Sequence, residues 1–240
     1  MRILAIIHQA DAGPGVFGEA VSAAGHQLEI WEPAEGEPPP EPETYGAVLT
    51  FGGGMHPDQE GAHPWLAAEK SLLGRALERE LPVLAVCLGA ELLAEAAGGF
   101  VRRASGPEIG WYSVTTDQAA RQDPLFAALP VCFQALEWHS YEFLLRPGAI
   151  ALAASETCLQ AYRAGPRAWG IQFHAEVTLE TFESWLDTYR EDLDAVRLGI
   201  DPERLRDQTR GAIEEWNRIG YDLCTRFLYL AGGVPEGGAG

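Results

Sequence analysis

The chain has 240 residues, of which 47% are hydrophobic, and a formal net charge of −18 at neutral pH. This length and apolar content suit one α/β domain with a buried core and a small extension. Because 35 acidic residues stand against 17 basic ones, the charge argues against a nucleic-acid partner and against binding to an anionic membrane surface.

The N-terminus and the cysteines indicate a cytoplasmic protein. The apolar run Ile3–Ile7 is too short for a signal peptide, and no apolar run approaches the roughly 20 residues of a membrane-spanning helix. The cysteines show no C-x-x-C spacing, and a reactive thiol requires a reducing compartment. The four cysteines are Cys87, Cys132, Cys158 and Cys224.

Short apolar strands alternate with helical patterns in the first part of the chain. Between two of them, Glu32–Glu43 is rich in Pro and Glu, and we expect it to be a solvated, extended loop. The alternation predicts a parallel sheet with helices on both faces, and ligands then bind beyond the carboxyl ends of the strands. We predict strands over Ile3–Ile7, Leu28–Trp31, Ala47–Phe51 and Pro82–Val86, and helices over Val16–Ala24, Trp65–Glu80 and Ala90–Ala97.

Cys87 lies where the buried strand Pro82–Val86 meets a helix. Such a junction is a sharp turn that requires small neighbours, and Ala85 and Gly89 flank Cys87 two residues away on each side. In hydrolases this kind of turn lifts a nucleophile above the sheet edge, and the start of a helix favours a thiolate. A buried core cysteine is the alternative interpretation of this segment alone.

A second apolar strand, near residue 170, ends in His174-Ala175-Glu176. A thiol nucleophile needs a base to take its proton, and the base needs a carboxylate that fixes its tautomer. Because residues i and i+2 of an extended segment point the same way, Glu176 can hold the imidazole of His174 while the ring faces Cys87. A half-exposed histidine beside a surface glutamate is the alternative.

The remaining segments predict strands and then helices. Four short strands form a β-rich excursion between residues 109 and 164, a capped helix begins at Thr178, and residues 203–231 predict two more helices. His56, Asp58 and His63 lie close in sequence, but their spacing fits no standard site, so we expect no metal and no cofactor. The strands of the excursion are predicted over Gly110–Thr115, Val131–Glu137, Ala149–Ala154 and Leu159–Arg163.

Four segments together resemble the class I glutamine amidotransferases, and the nearest resemblance is to free-standing members similar to the glutaminase domain of GMP synthase. The resemblance implies a flavodoxin-like, open, mostly parallel sheet over residues 1–190. Residues 191–231 then form a helical extension, and 232–240 a disordered tail. The matching segments, which occur in the family's order and spacing, are Phe51–Met55, Pro82–Leu93, Trp138–Ser140 and Trp169–Glu176.

The resemblance also implies roles for individual residues. Cys87 becomes the nucleophile, His174 the general base and then acid, and Glu176 the residue that orients His174. The backbone amides of Gly53 and Leu88 form the oxyanion hole. Substrate-binding positions are implied for Gly52, Gly54, Glu91, His139, Ser140 and Tyr141, the last three in a segment whose backbone holds the two ends of the substrate amino acid.

The chain departs from the family pattern at Glu91, where glutamine is usual and contacts the substrate. An ionised Glu91 would repel a substrate carboxylate and attract an amine, whereas a neutral amide does neither. Either Glu91 is protonated, or the substrate is not ordinary glutamine, or glutaminase activity is weak until a partner docks.

Three functions therefore stay open. The first is hydrolysis of glutamine through a γ-glutamyl thioester, with ammonia passed to a separate synthase because the chain has no ATP-binding signature. The second is a stand-alone γ-glutamyl hydrolase that acts on a γ-glutamyl amine or peptide. The third is a regulatory protein without catalytic activity. The C-terminal helices could pack on the domain, close over the site or form the face of a homodimer.

Overall fold

The nine strands found in residues 1–232 all belong to one sheet, one half of which is parallel. Those residues are the ones that the computed structural model describes. The strands are β1 (Arg2–Ile6), β2 (Gln27–Trp31), β3 (Ala47–Thr50), β4 (Val83–Val86), β5 (Phe100–Thr116), β6 (Cys132–Leu144), β7 (Ile150–Ala154), β8 (Leu159–Ala164) and β9 (Ala168–Ile171).

The parallel half has the strand order β2-β1-β3-β4-β9. This is the 2-1-3-4-5 order of flavodoxin-like folds, so the predicted fold class is confirmed. The strands of this half are short, and the central ones are apolar because they are covered on both faces, whereas the edge strand β2 is partly exposed. β3, β4 and β9 are buried along their whole length. Their carboxyl ends lie at one sheet edge, where the site described below is built.

The β-rich excursion continues the same sheet as an antiparallel half, in the order β9-β8-β7-β5-β6. Two strand boundaries predicted from the sequence are wrong, because β5 begins at Phe100 rather than Gly110 and β6 ends at Leu144 rather than Glu137. The added residues Phe100–Arg103 are mostly exposed, and a register shift separates Arg103 from Glu108. Exposure and the register shift both interrupt the alternation of apolar and polar residues from which a strand is predicted.

Five of the six helices in the described residues cover the two faces of the sheet. α1, α4 and α6 pack with the core on one face, and α2 and α3 with the core on the other. The helices are α1 (Gly15–Ala23), α2 (Trp65–Glu78), α3 (Leu88–Ala96), α4 (Leu179–Thr188), α5 (Leu193–Leu198) and α6 (Pro202–Leu230).

The C-terminal extension is dominated by α6, a single helix of 29 residues. The prediction of two helices over residues 203–231 is wrong. Asp201 caps the helix and Pro202 occupies its first turn, and one apolar stripe runs unbroken onto the sheet through Ile213, Trp216 and Phe227. Gly232 follows α6, while residues 233–240 of the predicted tail lie outside the described residues.

The Pro- and Glu-rich segment is more ordered than the predicted extended loop. It contains two short 3-10 turns, at Pro33–Glu35 and Pro42–Thr44, and Pro33 and Pro42 are buried. Proline presets the backbone for such turns. Among residues 1–232, none of the helices has the length and apolar character needed to cross a membrane. The cytoplasmic location stays a prediction.

Candidate active site

Cys87 occupies a strained turn between β4 and α3. Its backbone has φ +50° and ψ −114°, a conformation that costs a non-glycine residue on the order of 1–3 kcal/mol. The turn is fixed because the Cys87 amide donates to the carbonyl of Ile171 (2.8 Å) and the Gly89 amide donates to that of Phe51 (3.0 Å). A Cβ on Gly89 would lie 2.8 Å from the carbonyl oxygen of Thr50, so this approach requires glycine. The thiol is thereby held at the carboxyl edge of the sheet.

The predicted triad residues lie together at this edge. Nδ1 of His174 and Oε1 of Glu176 are 2.8 Å apart, and the His174 ring lies close enough to the Cys87 thiol for each group to shift the pKa of the other. A Cβ on Gly52 would lie 2.9 Å from Cε1 of His174 and 3.8 Å from Sγ of Cys87. The glycine turn therefore closes against the thiol and the imidazole at once, and a side chain there would push them apart.

The electrostatics suit a proton shared between sulfur and nitrogen. Burial lowers the pKa of His174, but the Glu176 carboxylate and the Cys87 thiolate outweigh burial and raise it well above its usual value. Burial raises the pKa of Cys87, while the charge of the nearby His174 acts in the opposite direction. A Cys87 thiolate is therefore stabilised only when His174 holds the proton, as a cysteine–histidine pair requires.

Residues outside the predicted motifs hold the His174 ring in place. The edge of the Trp185 ring packs on His174, with centroids 4.8 Å apart. From α6, Nε1 of Trp216 donates to the carbonyl of His174 (2.8 Å), and a Cβ on Gly220 would fall 1.8 Å from the Ala175 carbonyl oxygen. The C-terminal extension thus packs directly on the His174–Glu176 segment. No sequence motif predicts this contact, although the apolar stripe of α6 predicts that one face of the helix is packed.

The resemblance assigns the oxyanion hole to the backbone amides of Gly53 and Leu88, and the structure brings these two residues together. Leu88 is the first residue of α3, so its N–H has no acceptor within the helix. A Cβ on Gly53 would lie 3.1 Å from Cδ2 of Leu88, which places the glycine turn beside the helix start. Within residues 1–232 the Gly53 N–H makes no hydrogen bond. Gly54 faces elsewhere, because its N–H donates to Oε1 of Gln9 (2.7 Å).

Glu91 is buried beside the site. Burial raises the pKa of Glu91 to about 8, although a hydrogen bond from Gln172 acts against the rise. Nε2 of Gln172 donates to Oε1 of Glu91 (3.1 Å). At neutral pH the side chain is therefore a carboxylic acid with one acceptor and one donor oxygen, which matches the hydrogen-bonding capacity of the glutamine usual at this position.

The Trp138–Tyr141 segment borders the thiol through its backbone. The Trp138 carbonyl lies 3.9 Å from Sγ of Cys87. The side chain of His139 points away into the sheet, and the Tyr141 hydroxyl donates to Asp58 (3.1 Å). Burial raises the pKa of Asp194, but the nearby Ser140 and Arg103 side chains outweigh burial and lower it. The substrate-binding role of His139, Ser140 and Tyr141 stays a prediction about their backbone.

A buried polar cluster surrounds His139 behind this segment. Glu108, His139 and Cys158 carry donor atoms within 4.8 Å of one another, a set able by donor type to bind a metal. Nε2 of Gln160, however, lies 2.7 Å from Glu108 and 3.5 Å from both His139 and Cys158. The Gln160 amide fills the space between the three donor atoms. The cluster is therefore a hydrogen-bonded network around that amide.

The sequence of the chain is similar to those of known proteins. Residues 19–188 match the model of the family described as glutamine amidotransferase class-I. The chain is 28% identical over 198 residues to the glutamine amidotransferase-like protein YfeJ of Salmonella typhimurium, a match that covers 80% of this chain and 83% of YfeJ. It is 36% identical over 106 residues to one subunit of the glutamine-hydrolysing GMP synthase of Methanococcus maripaludis, covering 43% of this chain and about half (54%) of that relative.

Solved structures show the same architecture. A glutamine amidotransferase from Thermotoga maritima superposes with a TM-score of 0.85 at 29% identity, over 95% of this chain and 98% of the other. A glutamine amidotransferase from Methylobacillus flagellatus gives a TM-score of 0.85 at 25% identity, over 100% and 98% of the two chains. Both matches extend through nearly the whole chain, and so include the region of α6.

Proposed function

Because this chain belongs to the class I glutamine amidotransferase family, we propose that it hydrolyses the side-chain amide of glutamine, with Cys87 as nucleophile. The observation that carries the proposal is the convergence on Gly52. The Cys87 thiol and the His174 ring both lie within 3.8 Å of the position that a Cβ of Gly52 would occupy, and Glu176 holds the far side of the ring.

The reaction divides into two acyl transfers. His174 accepts the thiol proton while sulfur attacks the amide carbon, and the N–H groups of Gly53 and Leu88 stabilise the oxyanion. Collapse of the tetrahedral intermediate breaks the C–N bond, and His174 gives its proton to the departing nitrogen. Ammonia is released, and a γ-glutamyl thioester remains on Cys87. Water then attacks the thioester as His174 takes its proton, and glutamate departs while the thiol regains that proton.

Protonated Glu91 supports glutamine as the substrate. A neutral acid replaces the usual amide without placing a negative charge beside the substrate carboxylate. The raised pKa of Glu91, about 8 because of burial, keeps the group neutral at physiological pH. Among the possibilities left open by the sequence, a protonated Glu91 is therefore the one that the burial favours.

The ammonia is proposed to pass to a separate synthase. One relative is named as a single subunit of a glutamine-hydrolysing GMP synthase, a name that implies at least one other polypeptide in that enzyme. The chain covers only about half of that relative's length in the match, so the acceptor and the partner belong to the proposal.

The test is glutamate release from glutamine by the wild type and by Cys87→Ala, each with and without a candidate synthase. We expect the variant to lose at least about 10⁴-fold in kcat, and the partner to raise the wild-type rate. Equal release by the wild type and the variant overturns the proposal.

A second candidate function is a stand-alone γ-glutamyl hydrolase. Asp58 lies close enough to Glu91 to raise its pKa, after the larger effects of burial and of Glu95, and a carboxylate at position 58 near the site favours a substrate with an amine. A panel of γ-glutamyl amines and peptides separates the candidates. Turnover of the panel without a partner, at rates above that of glutamine, selects the hydrolase.

A further inference from the structure

A second buried histidine–carboxylate pair lies on the other side of the glycine turn from the triad. Nε2 of His8, at the end of β1, is 2.7 Å from Oε2 of Glu69 on α2, and both side chains are fully buried. Nδ1 of His8 is 2.9 Å from the carbonyl oxygen of Gly52. The other carboxylate oxygen accepts a hydrogen bond from the Thr50 hydroxyl (2.6 Å). Four groups thus form a chain that ends on the glycine turn.

The direction of each bond follows from the atoms. A carbonyl oxygen only accepts, so Nδ1 of His8 carries a hydrogen and donates to Gly52. Glu69 accepts from Thr50 and faces Nε2 of His8 with its other oxygen. Burial lowers the pKa of His8, but Glu69 and the backbone carbonyls of Gly52 and Phe51 outweigh burial and raise it. The Trp65 ring stacks on the imidazole, with centroids 5.2 Å apart at 13°, an arrangement that also favours a cation.

The bond to Gly52 determines where the neighbouring N–H points. The carbonyl of Gly52 and the N–H of Gly53 belong to one planar trans peptide, so the two point in opposite directions. Since His8 binds the oxygen, the N–H is turned away from His8. Donation to the carbonyl also polarises the peptide and strengthens its N–H as a donor. A Cβ on Gly53 would lie 2.9 Å from Cβ of His8, so the peptide rests directly against its anchor.

We propose that His8, supported by Glu69, is a positioning residue that locks the Gly52–Gly53 peptide in the orientation that presents the Gly53 N–H to the oxyanion. The inference rests on the proposed amide hydrolysis, because it assigns His8 a part in that reaction without contact between His8 and the substrate. Glu69 anchors the ring, and Thr50 anchors Glu69, so the turn is tied to β1, to α2 and to the end of β3.

The test compares two substitutions that remove different bonds. In His8→Gln the amide replaces Nε2 and keeps Glu69 paired, but no donor remains at the Nδ1 position to reach Gly52. In Glu69→Gln the amide can donate to Nε2, so neutral His8 still donates to Gly52. His63→Gln is the matched control, because His63 also packs on Trp65, with centroids 5.8 Å apart, and it has no bond to the turn.

We expect His8→Gln to lower kcat for glutamine roughly 10- to 100-fold with little change in KM, because only the oxyanion is affected. Glu69→Gln should lose much less, and His63→Gln should match the wild type. Alkylation of Cys87 by iodoacetamide forms no oxyanion, so its rate should be the same in all four proteins. Wild-type kcat in His8→Gln overturns the proposal, as does a parallel fall in alkylation, which would mean that the whole site is disturbed.

A second readout needs no turnover. The ¹³C shift of the Gly52 carbonyl reports its hydrogen bond, and we expect the shift to change in His8→Gln, less in Glu69→Gln and not in His63→Gln. If the wild type does not hydrolyse glutamine, the proposed function fails, while the carbonyl shift still decides whether His8 holds the peptide. An unchanged shift in folded His8→Gln, checked by its thermal unfolding, contradicts the positioning role.

Discussion

Two buried histidine–glutamate pairs flank the same glycine, and they differ in what the far side of the imidazole meets. In the pair His174–Glu176, 2.8 Å apart, the ring also meets the Cys87 thiol. In the pair His8–Glu69, 2.7 Å apart, the ring meets the carbonyl of Gly52. A thiol can release a proton, whereas a carbonyl only accepts a hydrogen bond. The third partner, a thiol in one pair and a carbonyl in the other, is therefore why we propose proton transfer for His174 and positioning for His8.

The strongest test of the difference between the two pairs is to replace each glutamate with the neutral glutamine. Glu176→Gln cannot hold the imidazolium that forms during catalysis and favours the wrong tautomer, so we expect kcat to fall by about 10³- to 10⁴-fold. Glu69→Gln should fall by less than about tenfold, because its amide can keep His8 bonded to Gly52. Steady-state glutaminase assays of both variants measure the difference. Losses of equal size would remove the distinction between the two pairs.

Glu91 provides a third case for comparison with the two pairs, because it is a buried carboxyl group that has no hydrogen bond to a histidine. Its pKa is raised by burial to about 8, so between about pH 4.5 and 8 the folded protein retains a proton that the unfolded chain releases. This group therefore lowers stability as pH rises, by about 1.4 kcal/mol per pH unit across that window.

Glu91→Gln removes that titration and keeps the shape of the side chain. We expect the free energy of unfolding of Glu91→Gln minus that of the wild type to grow with pH up to about 8 and then to level off. The alkaline fall of kcat/KM should also move to higher pH in the variant. Urea titrations and rate profiles across pH 5–9 measure both effects. A difference in unfolding free energy that does not vary with pH contradicts a protonated Glu91.

The smallest expected effect concerns the support that α6 gives to the His174–Glu176 pair. Trp216→Phe loses the hydrogen bond to the carbonyl of His174, and we expect a loss of about 1–2 kcal/mol in stability with a reduction of kcat by a few-fold. Trp111→Phe is the matched control, because Nε1 of Trp111 donates to Thr209 of the same helix (2.9 Å) and its ring packs on Trp216, so this variant disturbs the packing of Trp216 while the bond to His174 is kept. Chemical denaturation and kcat of both variants are compared. Equal kcat values would mean that α6 supports the fold alone.

The sequence revealed the pair whose members lie two residues apart and not the pair whose members lie 61 apart. His174-Ala175-Glu176 is a local pattern at the end of an apolar strand, and extended geometry puts its side chains on one side. His8 and Glu69 meet only because β1 and α2 pack at the same sheet edge. A histidine directly after a buried strand was a usable signal. No sequence pattern around Glu69, which lies on an amphipathic helix, indicated that it pairs with His8.

The fold was predictable where burial leaves a simple pattern. β3 and β4 are buried on both faces and appear as short apolar runs, so both were placed within one residue. β5 was placed poorly, because Arg102 and Arg103 lie in an exposed part of the strand next to a register shift. The contact of Trp216 with His174 depends on the path of a 29-residue helix, which no local pattern specifies.

The central claim is that Cys87 becomes acylated during hydrolysis of glutamine. Rapid acid quench of the enzyme with glutamine, followed by digestion and mass spectrometry, measures it directly, with Glu176→Gln included to slow the second step. We expect a γ-glutamyl group on the peptide that contains Cys87, removed by mild alkali and absent in Cys87→Ala. Glutamate released at the wild-type rate with that peptide unmodified at every quench time would contradict it.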